Sequence, residues 1–157
     1  MFSPTVREEV AFGCLQKRMT QEETLTRAAA VLAMLGISEL ADRAPFQLSG
    51  GQKKKIAIAS VLVTNPDVLL FDEPTAALDP RTQQWLTELI VELNESGKTN
   101  VLATHDFAAL NVLADRALAF AENHTIIQTG TAVEVLAAWD LPLSVTLIHE
   151  RSRIRGN

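Results

Sequence analysis

The sequence predicts an α/β fold, with a parallel sheet flanked by helices and a helical part before it. Helix and strand patterns alternate after about residue 50, an order typical of parallel α/β layers. The run Val68-Leu69-Leu70-Phe71 is short and uninterrupted, as expected of a strand buried on both faces of a sheet. A chain of 157 residues, 47% of them hydrophobic, has enough apolar material for a core.

Charge and cysteine content argue against several other classes. Fourteen Lys and Arg against nineteen Asp and Glu give a net charge of −5, which disfavours a broad basic face for nucleic acid. A single cysteine, Cys14, cannot form an internal disulfide. The sequence holds neither an apolar run of about 20 residues, which a bilayer requires, nor a signal peptide. We therefore expect a cytosolic protein.

The first third of the chain predicts helices. Thr20 and Glu23 fit a capping box that starts a helix, and Gly36 is a typical stop signal. The chain before about residue 50 indicates helices with an irregular opening, and the first clear helix is the one that begins at Thr20. A linker spans 37–48, and Ser49 is expected to cap a second helix running to about Val63.

Strands and helices alternate after that. The strand at 68–71 is followed by a helix that Asp79 and Pro80 begin and Gly97 ends. Another buried strand is expected at 99–103. The remaining predicted elements are a helix at 107–113, a strand at 117–121, a turn at 122–123 and a last helix at 131–138.

Three loops carry candidate chemistry, and the first is Leu48-Ser49-Gly50-Gly51-Gln52. Two glycines after a serine cap leave backbone N–H groups uncovered at the positive end of a helix, where a phosphate can bind. Taken alone, the same residues also fit a capped, flexible turn.

The second loop is Asp72-Glu73-Pro74, directly after the apolar strand. Carboxylates at the carboxyl end of a central strand lie at the crevice where α/β sheets bind ligands. One carboxylate can hold Mg²⁺ while its neighbour orients or activates a water. The alternative is a solvated acidic turn.

The third loop is Thr104-His105-Asp106, which also follows an apolar strand and should line the same crevice. His105 can donate to a phosphate oxygen or hold a water, although a lone histidine is more often structural. The other two histidines, His124 and His149, have no partners at metal-ligand spacing.

Taken together, these loops resemble the ATP-binding cassette (ABC) ATPases, which have a P-loop NTPase fold with a helical subdomain. Leu48–Gln52 resembles the family's signature, and Val68–Glu73 resembles its Walker B strand. The resemblance implies that Asp72 binds Mg²⁺, that Glu73 is the catalytic carboxylate and that His105 is the switch histidine. Ala77-Leu78-Asp79 resembles the D-loop, although Ala76 and Ala77 replace the commoner Ser or Gly.

Residues 2–13 and the tail near 141–144 are similar to the energy-coupling-factor subgroup, which imports cobalt, nickel or biotin. The resemblance implies ATP and Mg²⁺ as ligands, a second ATPase subunit (in a homodimer or a heterodimer) and membrane permease subunits as partners, and a place at the cytoplasmic face of the membrane. It also implies three regions: a partial helical subdomain at 1–48, the signature helix and core at 49–138, and an extension at 139–157.

The 157 residues contain no G-x-x-x-x-G-K-[ST], the Walker A loop that cradles phosphates. The resemblance therefore suggests an N-terminally truncated cassette. In the family, Ser49, Gly51 and Gln52 would cap a nucleotide held by a partner subunit, while Asp72, Glu73 and His105 would serve a nucleotide on this chain's own loop. We expect the chain alone to bind ATP very weakly and to expose apolar strand faces and an unpaired edge.

Three functions fit these observations to different degrees. The first is the ATP-hydrolysing subunit of an importer, here incomplete. The second is a non-catalytic interaction module that only donates its signature to a complete cassette. The third, a DNA-repair or ribosome-associated ATPase, would require coiled-coil heptads or a second cassette, and the sequence has neither.

Overall fold

The computed structural model describes residues 3–14, 19–104, 113–121, 123–137 and 144–149. The chain divides into two units, which we call the helical unit (Met1–Pro66) and the sheet unit (Asp67–Asn157). Each unit is described separately below. Among the described residues, no helix combines the length and apolar character needed to cross a bilayer.

Capping boxes begin the three α-helices that the structure describes in the helical unit. The helices are α1 (Val6–Phe12), α2 (Gln21–Met34) and α3 (Gly50–Leu62), with short 3-10 turns at Ser38–Leu40 and Pro45–Gln47. The predicted helices from Thr20 and Ser49 are confirmed, each with its side-chain cap. The expected irregular opening is wrong over α1, because Thr5 and Glu8 form a capping box that starts a regular helix there.

The core of the helical unit lies between α1 and its two neighbours. Its fully buried members include Val6, Val10, Ala28, Leu32, Ile56 and Ala59. Gly13 marks the closest approach, since a Cβ there would lie 2.5 Å from the Ser60 carbonyl oxygen. Cys14 is buried beside it and donates to the Val63 carbonyl at 3.3 Å, as expected of a small core side chain.

The described residues of the sheet unit form five strands and two helices. These are β1 (Val68–Asp72), α4 (Pro80–Glu95), β2 (Thr99–Thr104), β3 (Arg116–Phe120), β4 (Ile126–Thr131), α5 (Ala132–Ala137) and β5 (Ser144–His149). The strand order is β1-β2-β5-β3-β4. Among these described strands, β1 and β2 alone pair in parallel; β5 is antiparallel to both β2 and β3, and β4 is antiparallel to β3. The expected parallel sheet is thus a mixed one.

The strand β1 lies at one edge of the sheet, and only one of its faces is buried. Leu69 is 4% exposed, whereas Val68 and Leu70 are 54% and 78% exposed. The prediction that this strand is buried on both faces is therefore wrong. Val68 and Leu70 thus form an apolar face of β1 that no described residue covers.

The helix α4 packs against β2. Leu86 and Ile90 of α4 are fully buried, as is Asn100 of β2, whose side-chain amide donates to the Ile90 carbonyl at 3.1 Å. The strand predicted at 117–121 and the last helix are confirmed within a residue or two. Most of the helix predicted at 107–113 and part of the turn at 122–123 lie outside the described residues.

Candidate functional site

The start of α3 is fixed by the side chains of Ser49 and Gln52. The Gln52 backbone N–H donates to Ser49 Oγ at 3.3 Å, and the Ser49 N–H donates to Gln52 Oε1 at 3.0 Å. This reciprocal box satisfies two of the unpaired groups at the helix end. Ser49 and Gly50 are both exposed, so the helix start faces solvent.

The charge at this helix start differs from that of the other helices whose starts are described. Each of those carries a carboxylate at the cap or in the first turn: Glu8, Glu23, Asp79 and Glu134. At α3 the equivalent residue is the neutral Gln52, and its first turn has no acidic residue. No acidic side chain in the first turn of α3 therefore offsets the partial positive charge at the start of this helix. Such a charge favours the binding of an anion there.

None of the contacts given for the described residues requires a glycine at position 50. A Cβ built on Gly50 would meet no atom within 4 Å, and the residue lies in the regular helix α3. Alanine there would favour the helix by up to about 1 kcal/mol. A glycine that its own fold does not require is consistent with close approach of an outside group to the backbone.

Leu48, which precedes the capped turn, is buried, with only 5% of its surface exposed, and it holds the start of the turn against the protein.

In the sheet unit, the ends of β1 and β2 bring a carboxylate and a hydroxyl together. Glu73 follows β1 with a left-handed φ of 42°, and its N–H donates to the Ala103 carbonyl at 2.9 Å. Thr104 is 4% exposed, and its hydroxyl donates to Glu73 Oε2 at 3.2 Å. Both the backbone and the side chain of Glu73 are therefore held by β2.

Asp72 has a different environment from Glu73. It is exposed, and its Cα pairs with that of Ala103 in the parallel ladder. The expectation that the two strands end at one edge of the sheet is confirmed by the contact of Thr104, the last residue of β2, with Glu73. His105, the predicted switch histidine, lies outside the described residues.

The residues at 77–79 form a constrained turn before α4. Ala77 adopts a φ of 58°, a region that residues other than glycine rarely enter. Asp79 accepts hydrogen bonds from the Arg81 and Thr82 N–H groups, each at 3.1 Å, and from the Thr82 hydroxyl at 2.6 Å. These bonds, the Thr82 hydroxyl foremost, lower the pKa of Asp79 below its ordinary value.

The donor set of the sheet unit fits a magnesium ion of the kind that substrate phosphates share. Mg²⁺ is commonly held by one or two carboxylates, with water and phosphate oxygens completing its shell. An exposed Asp72 beside a restrained Glu73 suits that pattern. Among the described residues there is no group of three or more His, Cys, Asp or Glu side chains that would make a cage for a metal.

The chain is an α/β protein with a carboxylate-free helix start in one unit and adjacent carboxylates at a strand end in the other. Residues 3–76 match the family model described as "ABC transporter". An ABC transporter ATP-binding protein of Methanosarcina acetivorans is 54% identical over 156 residues, which are 99% of this chain and 56% of that protein. The chain therefore belongs to the family of ABC transporter ATPase domains.

Two further likenesses concern one subgroup. The energy-coupling factor transporter ATP-binding protein EcfA of Methanothermobacter thermautotrophicus is 38% identical over 99% of this chain and 52% of its own. The structure of CbiO1 of Clostridium perfringens, part of the cbiONQ complex, has a TM-score of 0.75 and 38% identity over 87% of this chain and 55% of its own. The chain thus spans about half the length of the relatives it matches.

Two groups that hold Glu73 are not evident from the sequence pattern. Thr104 stands in the loop singled out with His105, and the Ala103 carbonyl is a backbone group that no motif marks. Both act on Glu73 across a strand pairing. The register of β1 against β2 would have been the signal for them, and the sequence does not give that register.

Proposed function

We propose that this chain is the signature-bearing part of an ATP-hydrolysing subunit of an importer of the energy-coupling-factor type, for cobalt, nickel or biotin. The observation that carries the proposal is the start of α3, where Gly50 is open and no carboxylate neutralises the helix dipole. Ser49, Gly51 and Gln52 cap the γ-phosphate of an ATP bound by a second ATPase subunit.

The sheet unit contributes the groups for hydrolysis. Asp72 holds Mg²⁺, which when bound neutralises charge on the phosphates. Glu73 accepts the proton of the attacking water, and its restraint by Ala103 and Thr104 keeps the carboxylate in one position. His105 takes the role of the switch histidine, and Ala77, Leu78 and Asp79 take that of the D-loop.

The partners follow from the same proposal. A second ATPase subunit, in a homodimer or a heterodimer, provides the nucleotide that the signature caps. Membrane permease subunits bind the pair at the cytoplasmic face, where ATP hydrolysis drives import. The names of EcfA and of CbiO1, part of the cbiONQ complex, support this class of assembly.

The alternative is a non-catalytic module that donates its signature to a complete cassette and uses neither Asp72 nor Glu73. The observation favouring it is that the capped turn of Ser49 and Gln52 is formed within the start of α3 itself. Both functions assign phosphate capping to the start of α3. They differ in whether Asp72 and Glu73 take part in hydrolysis.

Signature donation is tested by complementation. The chain is mixed with the full-length Methanosarcina acetivorans relative whose own signature has been disrupted, and phosphate release from Mg-ATP is measured. Both functions predict that the chain restores hydrolysis. No restoration at a chain concentration that saturates binding to the relative would contradict both.

A second assay separates the two functions. The chain is assembled with the part of the same relative that it does not span, and hydrolysis is compared between wild type and Glu73→Gln. The ATPase subunit requires that Glu73→Gln abolish hydrolysis, because the general base is removed while the shape of the side chain is kept. Equal rates of hydrolysis for wild type and Glu73→Gln would exclude the ATPase subunit and support the non-catalytic module.

A further inference from the structure

The segment between Glu73 and the start of α4 holds two residues in an unfavourable backbone conformation. Glu73 has a φ of 42° and Ala77 has a φ of 58°, a region that residues other than glycine rarely enter. Such conformations persist only where the surrounding structure holds them in place. The contacts of this segment therefore decide whether Glu73 and residues 77–79 keep their positions.

Ala77 lies in a turn that runs from Thr75 to Leu78. The Leu78 N–H donates to the Thr75 carbonyl at 3.3 Å, and Ala77 occupies the third position, where a turn with a positive φ normally has glycine or asparagine. The turn is also connected to Glu73, whose carbonyl accepts the Ala76 N–H at 3.2 Å. Opening of the turn would therefore remove a partner from the backbone of Glu73.

The side chain of Gln83 supports this turn from α4. Its Nε2 donates to the Thr75 carbonyl at 3.2 Å, across eight positions of the chain. The Thr75 carbonyl thus accepts bonds from both Gln83 and Leu78. Both bonds lie at or beyond the long end of the usual N–H···O range, so neither alone holds the turn firmly.

Gln83 is itself fixed by the helix that carries it. Its backbone N–H donates to the Asp79 carbonyl at 2.9 Å at the start of α4. The helix packs against β2, and its residues Leu86 and Ile90 are fully buried. The amide of Gln83 therefore connects a packed helix to the turn, while β2 holds the other end of the segment at Glu73.

We propose that Gln83 is a positioning residue for ATP hydrolysis, which acts on Glu73 and on residues 77–79 through the turn at 75–78. The proposal rests on the proposed function, in which Glu73 accepts the proton of the attacking water. A carboxylate in that role must be held within hydrogen-bond reach of the water, so a turn that opens part of the time lowers the rate of the chemical step. Gln83 has no contact with the nucleotide in this role, so the KM for ATP should not change.

The test removes the donor and keeps the helix. Gln83→Met lacks the side-chain amide but has a similar length, and Met favours a helix about as well as Gln does. The matched control is Gln84→Met, because Gln84 is the next residue of α4 and its amide donates to Glu88 Oε1 at 2.9 Å within the helix. A further variant, Gln83→Met/Ala77→Gly, relieves the strain in the turn, because glycine adopts a positive φ readily.

The turn is measured in the isolated chain, by NMR hydrogen exchange of the Leu78 N–H that closes it. Loss of one hydrogen bond should make this exchange about threefold faster or more in Gln83→Met. Exchange should be unchanged in Gln84→Met and should return toward the wild-type rate in Gln83→Met/Ala77→Gly. A wild-type rate in Gln83→Met, or an equal acceleration in Gln84→Met, would overturn the proposal.

Hydrolysis is measured in the assembly used for Glu73→Gln, with kcat and KM determined separately. Gln83→Met should lower kcat about threefold or more without a change in KM, and Gln84→Met should match wild type. Adding Ala77→Gly to Gln83→Met should restore most of the lost kcat. A wild-type kcat in Gln83→Met, or a loss that Ala77→Gly does not reduce, would overturn the proposal.

The two measurements also separate this proposal from the proposed function. If the wild-type assembly does not hydrolyse ATP while the exchange rates follow the expected order, the proposed function is overturned. The role of Gln83 in hydrolysis is then overturned with it, and only its support of the turn stands.

Discussion

In the helical unit the candidate residues are consecutive in the chain, whereas in the sheet unit they come from the ends of two strands. Ser49 to Gln52 form one capped turn that needs nothing beyond α3 for its shape. Glu73 is held by Ala103 and Thr104, about thirty positions further along the chain. The first site is therefore a local structure, and the second depends on a sheet with an exposed edge and a reversed interior strand.

The largest expected effect comes from the buried face of the sheet. Leu102 in β2 is 1% exposed, so Leu102→Ala should lower the free energy of unfolding by about 2–5 kcal/mol through lost burial and the cavity left behind. The control is Val101→Ala, on the opposite, half-buried face of the same strand. Urea titration would show a clearly smaller loss for the control, and equal losses would mean that both faces are covered.

The next effect compares the two sites in the complementation assay. Gln52→Glu can keep the capping box, as Glu23 does at α2, but places a negative charge where the γ-phosphate is expected. Repulsion of about 1–4 kcal/mol for charges 4 Å apart should reduce the restored hydrolysis at least fivefold or so.

Glu73→Gln in the same chain should leave that hydrolysis unchanged, because the signature acts on the partner's nucleotide. The helical content by circular dichroism should be equal in both variants. Full hydrolysis with the Gln52→Glu chain would show that the start of α3 does not contact the γ-phosphate.

Substitution of Gly50 should have two smaller effects of opposite sign, a gain in stability and a loss of restored hydrolysis. Gly50→Ala meets no atom of this chain, so it should raise the free energy of unfolding by up to about 1 kcal/mol. The same Cβ covers the approach to the amides and should lower restored hydrolysis. Thermal melts and phosphate release would be measured on one preparation. A variant that is both more stable and fully active would show that the amides are not approached closely.

The smallest effect is the pH dependence of the Asp79 cap in the sheet unit. Its pKa is lowered in the fold, chiefly by the Thr82 hydroxyl, so its contribution to stability is present above the unfolded pKa and is lost as pH falls through the folded one. Asp79→Asn keeps a capping side chain that does not titrate there. The fall in Tm between about pH 6 and about pH 3 should be shallower for Asp79→Asn than for wild type. Identical slopes would assign the acid sensitivity to other carboxylates.

The same contrast explains how much could be predicted from the sequence. The helices from Thr20, Ser49 and Asp79 were predicted because a cap and its partner lie within three residues of each other. The capping box of Thr5 and Glu8 is the same kind of local signal for α1, which the predicted irregular opening leaves out.

The direction and the burial of a strand could not be predicted from such local signals. An apolar run such as 68–71 does not reveal whether its sheet has a further layer, and Leu70 is exposed because no described element covers it. The antiparallel place of β5 between β2 and β3 depends on pairings more than twenty residues apart. The contact of Thr104 with Glu73 depends on the same kind of long-range register.

The most direct test is the binding of Mg-ATP to the isolated chain. The account holds that the chain caps a nucleotide held elsewhere and, without a G-x-x-x-x-G-K-[ST] loop, has no cradle of its own. Isothermal titration of the chain with Mg-ATP should then give no saturable heat at a Kd below about 1 mM. A saturable isotherm with a Kd of about 10 μM or tighter would show a nucleotide site within these residues and would contradict the account.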